Sequence, residues 1–144
     1  MVTISLTGGK ELSAALKAMG GKLEAEVGKA VVGTALELQG DVRKRIQRGP
    51  ASGRVYQRQN PRRTHQASAP GEAPQSDTGR LASSIFFEVD GALTATVGSR
   101  LAYAQWLEYG TTRMAQRPYF RPAVEAMKGK FQKRLEAAVR RATQ

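Results

Sequence analysis

The apolar positions of this chain change period several times, and each change marks an element. Val2, Ile4 and Leu6 alternate with Thr3, Ser5 and Thr7, a period of two that predicts a short half-buried strand. Gly8-Gly9 ends it. The period then lengthens. Leu12, Leu16, Met19, Leu23, Val27, Val31, Ala35, Leu38, Val42 and Ile46 recur at steps of three or four, the single stripe of an amphipathic helix. Gly20-Gly21 predicts a break, followed by a long helix from about Lys22 to Arg48, about 40 Å long at 1.5 Å per residue. Gly28, Gly33 and Gly40 fall inside it, each costing about 1 kcal/mol relative to Ala. Tertiary packing must therefore hold this helix, and its small residues would also let another backbone approach. Gly49-Pro50 stops it.

From Pro50 to Ser76 apolar side chains almost vanish and four prolines occur, which reads as a long loop at about 49–76. Asp77 to Ser84 predicts a short helix, capped by Asp77 or Thr78. Alternation returns in Ile85 to Asp90 and in Leu93 to Ser99, on either side of Gly91-Ala92, the best hairpin signal in the chain. Leu101 to Tyr109 carries apolar residues at helical spacing, with Gly110 as a stop. Thr111 to Pro118 reads as a loop or an edge strand. A last helix is expected from around Pro118, a residue suited to a first helical turn. Phe120, Val124, Met127, Phe131, Leu135 and Val139 form its apolar stripe, and its other face is rich in Lys and Arg. The fold class that follows is α+β: a small antiparallel sheet, made of the N-terminal strand and the hairpin, packed against a long N-terminal helix and a C-terminal helix. Two strands alone would be marginal, and 144 residues make one domain, 1–144.

Charge changes this picture. The chain carries 23 Lys+Arg against 12 Asp+Glu, a net charge of +11, so it is drawn to polyanions or to acidic protein surfaces. Between Arg43 and Gly71 stand Arg43, Lys44, Arg45, Arg48, Arg54, Arg58, Arg62 and Arg63, with no acidic residue among them. Such a segment repels itself when free and can order on a partner, either an acidic neighbour or DNA. A solvated loop is the blander reading. No cysteine is present, which excludes disulfides and thiolate metal sites. The N-terminus lacks the pattern of a signal peptide, and no apolar run approaches the length of a membrane span. The expected location is a cytoplasm, or a particle assembled there.

Candidate chemistry is sparse. His65, the single histidine, stands among Arg62, Arg63, Thr64 and Gln66 without the companions that a base or a metal ligand needs, and is expected to be solvated. The serines lack a base, the aspartates lack ligand spacing, and no phosphate-binding loop is written in the chain. No catalytic set, cofactor or metal is therefore expected. Tyr103, Trp106 and Tyr109 form an aromatic group suited to an interface centre, although a lone Trp is more often core. Glu108 beside them is either an exposed carboxylate or the partner of Arg113, Arg117 or Arg121.

Three segments occur in a telling order: Asp77-Thr78-Gly79-Arg80-Leu81 with Ser84-Ile85; Tyr103-Ala104 with Leu107-Glu108-Tyr109-Gly110-Thr111; and Arg117-Pro118-Tyr119-Phe120-Arg121-Pro122-Ala123. In this order the chain resembles the tail-component family of long-tailed double-stranded DNA phages, the tail-completion or head–tail joining proteins of the neck. The resemblance covers about residues 77–123. It implies a virion structural protein without enzymatic activity, working as a ring of sixfold rather than twelvefold order between the tail tube protein and the head-side connector proteins, in the virion and assembled in the bacterial cytoplasm. It implies contact with double-stranded DNA only in passing. Tyr103, Trp106, Glu108, Tyr109, Arg117 and Phe120 then become core or subunit-interface positions. A strongly positive channel would hold phosphates and slow DNA, so the basic segment is expected at protein contacts or at the rim. The rival reading is a small basic nucleic-acid-binding protein. Net charge supports it, but no helix-turn-helix, zinc-finger spacing or aromatic RNA-binding signature does. An enzyme such as a nuclease would need a carboxylate or histidine cluster.

Overall fold

The computed structural model describes residues 2–7, 14 and 17–144, and the backbone alone at 4–7. Its elements in order are β1 (Val2–Thr7), α1 (Gly21–Arg48), β2 (Val55–Gln59), β3 (Arg62–Gln66), α2 (Arg80–Ser83), β4 (Ile85–Gly91), β5 (Thr94–Ser99), α3 (Ala102–Tyr109) and α4 (Phe120–Thr143). The architecture is α+β. β5 is the centre of a three-stranded antiparallel sheet of order β1-β5-β4, with Ile4 opposite Val97 and Phe87 opposite Val97 from the other side. The N-terminal strand thus joins the hairpin, giving it the third strand that stability requires.

α1 forms as its stripe predicts. Leu23, Val27, Val31, Ala35, Leu38, Val42 and Ile46 are all buried along it. Residues 17–19 are helical, and Gly20, at φ +103°, supplies the break before α1 begins. Leu12 and Leu16, the earlier part of the expected stripe, lie outside the described residues. One flank of α1 meets β4 and β5, and α4 packs along another, so α1 is the central beam. Burying side chains of this size contributes about 1.5–3 kcal/mol each, enough to override the helix's poor propensity. Gln39 Nε2 and Arg43 Nη2 both donate to the Ile85 carbonyl, at 2.9 and 2.7 Å, and pin α1 to the start of β4.

The glycines of α1 divide by their surroundings. A Cβ on Gly28 would stand 2.6 Å from the Ala92 carbonyl oxygen in the β4–β5 turn, whereas one on Gly40 would meet nothing within 4 Å. Gly28 is therefore the place where a second backbone comes close. Gly28→Ala is expected to destabilise by about 1–3 kcal/mol through forced displacement, while Gly40→Ala stabilises by about 0.5–1 kcal/mol. Urea unfolding followed by circular dichroism checks both signs.

α4 begins one step later than the sequence suggests. Tyr119 is its N-cap, Pro118 precedes the helix, and Pro122 is the proline of the first turn. Its cationic face is only partly given to solvent. Glu37 of α1 binds Lys130 at 2.8 Å and also Arg134, and Glu26 binds Arg141 at 2.9 Å. Lys130 and then Arg134 hold the Glu37 carboxyl below its ordinary 4.5. A carboxyl depressed in the folded state adds stability above its unfolded pKa and loses it as pH falls through the lower folded value. Glu37→Gln should therefore lower Tm at pH 7, and the gap from the parent should narrow progressively as pH falls below 4.5. Thermal melts across that range check it.

The stretch expected as one long loop contains the β2–β3 hairpin, whose turn holds a cis Asn60–Pro61 bond. Its positions are exposed except Arg63 and His65, which are half-buried. The rest of the stretch is tied down: Gly71 N donates to Gln116 O at 3.0 Å and Ser76 N to Ile46 O at 3.0 Å. Glu72 accepts from Ala69 N at 2.8 Å and from the Ser52 hydroxyl, and these bonds hold its carboxyl below the ordinary value.

Candidate functional site

α3 and the start of α4 form one joint. α3 is short, and its two ends are fixed: Leu101 N donates to Ser99 Oγ at 3.2 Å, and Arg117 N donates to Leu107 O at 2.6 Å. Gly110 ends it at φ +76°, its N–H bonded to Trp106 O at 2.8 Å. That position is closed to other residues on two counts, because a Cβ there would also meet Met114 O at 2.8 Å.

Glu108 lies on the inner side of α3 with no exposed surface. Its Oε2 accepts from Tyr119 N and Phe120 N, both at 2.9 Å, and its Oε1 accepts from Arg121 N at 2.9 Å and Arg121 Nε at 3.3 Å. These N–H groups open α4, where no side chain of α4's own N-cap residue serves them. A carboxylate from a different helix thus satisfies the orphan donors and sits at the positive end of the α4 dipole. The Tyr119 hydroxyl completes the joint by donating to Ala104 O at 3.1 Å. Burial, with Glu108 and Tyr103 adding to it, pushes that hydroxyl well above its ordinary value, so it remains a donor. The second and third sequence segments are therefore one physical unit, with the acid of one capping the helix begun by the other.

Of the three arginines expected to pair with Glu108, the structure selects Arg121, which also lies 5.4 Å from the Tyr109 ring centroid. The reading of Glu108 as an exposed carboxylate is overturned. Arg117 instead donates to the carbonyl and hydroxyl of Ser68 and ties the basic stretch to the joint.

The outer side of α3 carries the opposite surprise. Trp106 is 49% exposed and Tyr109 63% exposed, against the expectation that a lone Trp is core. Helical spacing placed them on one face, and that face looks outward because Ala104 and Glu108 occupy the inward one. Tyr103 is half-buried and lines, with Leu81, Leu107, Met114 and Arg117, an open cleft of about 260 Å³. Phe120 is fully buried, in contact with Tyr119 at 5.2 Å between ring centroids.

The first segment has a different role from the one its residues suggested. Asp77 does not cap α2. Its carboxylate binds Arg58 at 2.5 Å and Arg63 at 2.8 Å, with His65 Nδ1 at 3.7 Å. Thr78 Oγ1 accepts from Arg80 N at 3.4 Å, and Ser76 Oγ accepts from Gly79 N at 3.1 Å. His65, expected to be solvated, has a side chain only 18% exposed. Asp77 therefore clasps the β2–β3 hairpin to the body.

Residues 10–110, more than two-thirds of the chain, match the family model described as "Bacteriophage HK97-gp10, putative tail-component". The chain belongs to this phage tail-component family. No curated protein and no solved structure matches it. The matched range takes in α1, the basic stretch, the sheet hairpin and α3 with Glu108, and it stops before the α4 start that Glu108 caps.

Within this tail component the cations of the basic stretch separate. Arg43 is spent on Ile85, Arg45 on Asp41 at 3.0 Å, and Arg58 and Arg63 on Asp77. Arg54 lies over the Tyr56 ring at 5.8 Å. Arg48, in the last turn of α1, and Arg62, at the hairpin tip, are both exposed. The eight cations are thus not one free arm. The structure brings Arg58 and Arg63 together and leaves Arg43 and Arg45 on the helix. No group of three His, Asp or Glu side chains able to hold a metal ion exists among the described residues, and no described helix is long and apolar enough to cross a membrane.

Proposed function

We propose that this tail component is a non-enzymatic virion protein of the phage neck, whose copies form a ring that completes the tail or joins it to the head connector. The observation that carries the reading is the pair Trp106 and Tyr109, large aromatics held outward on a helix whose inner side is locked by the buried Glu108. A rigid, exposed aromatic pair on a short anchored element is what a preformed contact surface needs. Six copies, seated between the tail tube protein and the head-side connector proteins, fit the family. DNA passes through such a ring, and the internal engagement of Arg43, Arg45, Arg58 and Arg63 leaves less free charge to hold it. The same engagement weighs against the rival reading of a nucleic-acid-binding protein.

Deletion of the gene is the test. The expected result is full heads and tails that fail to join, or tails of irregular length, restored by the gene supplied in trans. Normal infectious particles without the protein would overturn the reading. A purified protein that stays monomeric beside tail tubes and binds duplex DNA with a steep salt dependence would favour the rival.

A further inference from the structure

Two strand edges in this chain carry opposite charge. Among the described residues β4 has a strand on one side only. β2 also has a strand on one side only and is exposed at every position, whereas β3 half-buries Arg63 and His65, so of the hairpin's two strands β2 is the freer. An unpaired edge is a template for another strand, and a two-stranded hairpin is marginal without further support. From Arg43 to Gly71 the chain has no acidic residue, while from Leu81 to Ser99 it has Glu88 and Asp90 and no Lys or Arg. In a protein of net charge +11, Glu88 and Asp90 make β4 the strand that attracts a cationic neighbour; the one cation already beside them, Arg100, is 3.8 Å from Glu88 and both side chains are exposed, so that pair is weak and open to exchange. The apolar groups match as well: Val55 and Tyr56 on β2 are 54% and 48% exposed, and Val89 on β4 is 50% exposed.

We infer that β2 of one copy docks along the outer edge of β4 of a second copy, adding the hairpin to its neighbour's sheet. Main-chain bonds supply the affinity of such strand addition, and side chains fix the match. Val55 covers Val89 on one face, and on the other Arg54, which shares its side of β2 with Tyr56, meets Glu88 and Asp90. The Asp77 clasp holds the hairpin in place while leaving the Arg58 side chain 55% exposed. The two edges are different surfaces of one chain, so the contact is head-to-tail and repeats from copy to copy, as a closed ring requires. This contact rests on the ring reading above and names strand surfaces that would act in the ring beside the Trp106–Tyr109 face. An anionic nucleic acid would suit the hairpin but would be repelled by the β4 edge.

The absence of cysteine makes the test direct. Single substitutions Val55→Cys or Gln57→Cys are mixed with Glu88→Cys or Val89→Cys under mild oxidation, which covers neighbouring registers. A disulfide needs Cα atoms within about 7 Å, so the docking predicts that in an equal mixture at least one pair joins about half of the copies into cross-linked dimers, while each variant alone stays largely uncoupled. The corresponding double variant should give a reducible ladder ending at the ring. Glu88→Lys with Asp90→Lys should lower the assembled fraction about tenfold, and Arg54→Glu should recover part of it. Rings seen by light scattering with no mixed pair joining would overturn the docking and leave the ring standing. No oligomer of the parent protein, alone or with tail tubes, would sink the ring reading and this contact with it.

Discussion

Glu108→Ala is expected to cost this protein about 3–5 kcal/mol, the range for removing one partner from a buried charged cluster. The carboxylate serves the N–H groups of Tyr119, Phe120 and Arg121 at the start of α4, and Glu108, Tyr119 and Phe120 all have no exposed surface, so bulk solvent does not reach the buried donors. Each stranded buried donor costs about 1–3 kcal/mol. Total stability of a domain is about 5–15 kcal/mol, which puts the variant near or past its limit at 37 °C. Glu108→Gln keeps the shape and one acceptor but turns an amide N–H₂ toward other donors, so an intermediate loss of about 2–3 kcal/mol follows. Arg121→Ala should cost less than about 1 kcal/mol, because that side chain is 52% exposed and its pairing is screened. Urea unfolding should rank the three variants Ala, Gln, then Arg121→Ala. Equal stabilities for Glu108→Ala and the parent would mean that α4 is capped by something other than this carboxylate.

Much of this fold was legible because its core elements are one-sided. The stripe from Leu23 to Ile46 and the alternation from Ile85 to Ser99 each bury one face, and burial is what periodicity records. The β2–β3 hairpin was missed for the converse reason. It buries almost nothing, so no apolar alternation was selected, and its strands Val55–Gln59 and Arg62–Gln66 read as loop. The remaining signal was Asn60-Pro61, a turn dipeptide between two short runs containing Val55, Tyr56 and Thr64. For Glu108 the sequence left an exposed carboxylate and a partner of Arg113, Arg117 or Arg121 both open, because carboxylates are almost never fully buried unless paired; the pairing with Arg121 held and the exposure did not. Its clue lay elsewhere: Phe120 opens a helix with no Ser, Thr, Asp or Asn in front of it, so the caps had to come from another segment. Asp77 was read locally, as a cap for the helix it precedes, when the nearest strong charges came from a hairpin that the sequence had hidden. Long-range pairing of this kind leaves no spacing rule to find.

Trp106→Ala separates the two readings of the aromatic face, because they predict opposite results. Were Trp106 core, truncation would cost about 3–5 kcal/mol of stability. With the side chain 49% exposed and α3 anchored through Ser99, Leu107 and Glu108, its removal should change unfolding free energy by less than about 1 kcal/mol. Assembly should suffer instead. A central interface Trp is worth about 2 kcal/mol or more, and in a ring every copy loses that contribution at once. At a protein concentration where the parent is fully assembled, the variant should run as monomer or as short open oligomers. The yield of joined, infectious particles should fall by orders of magnitude. Tyr109→Ala should act in the same direction but less strongly, since Tyr109 is 63% exposed and already covered on one side by Arg121. Light scattering for assembly, thermal melts for stability and particle titre together decide the matter. A variant that melts early yet still assembles would return Trp106 to the core and leave α3 without an outward role.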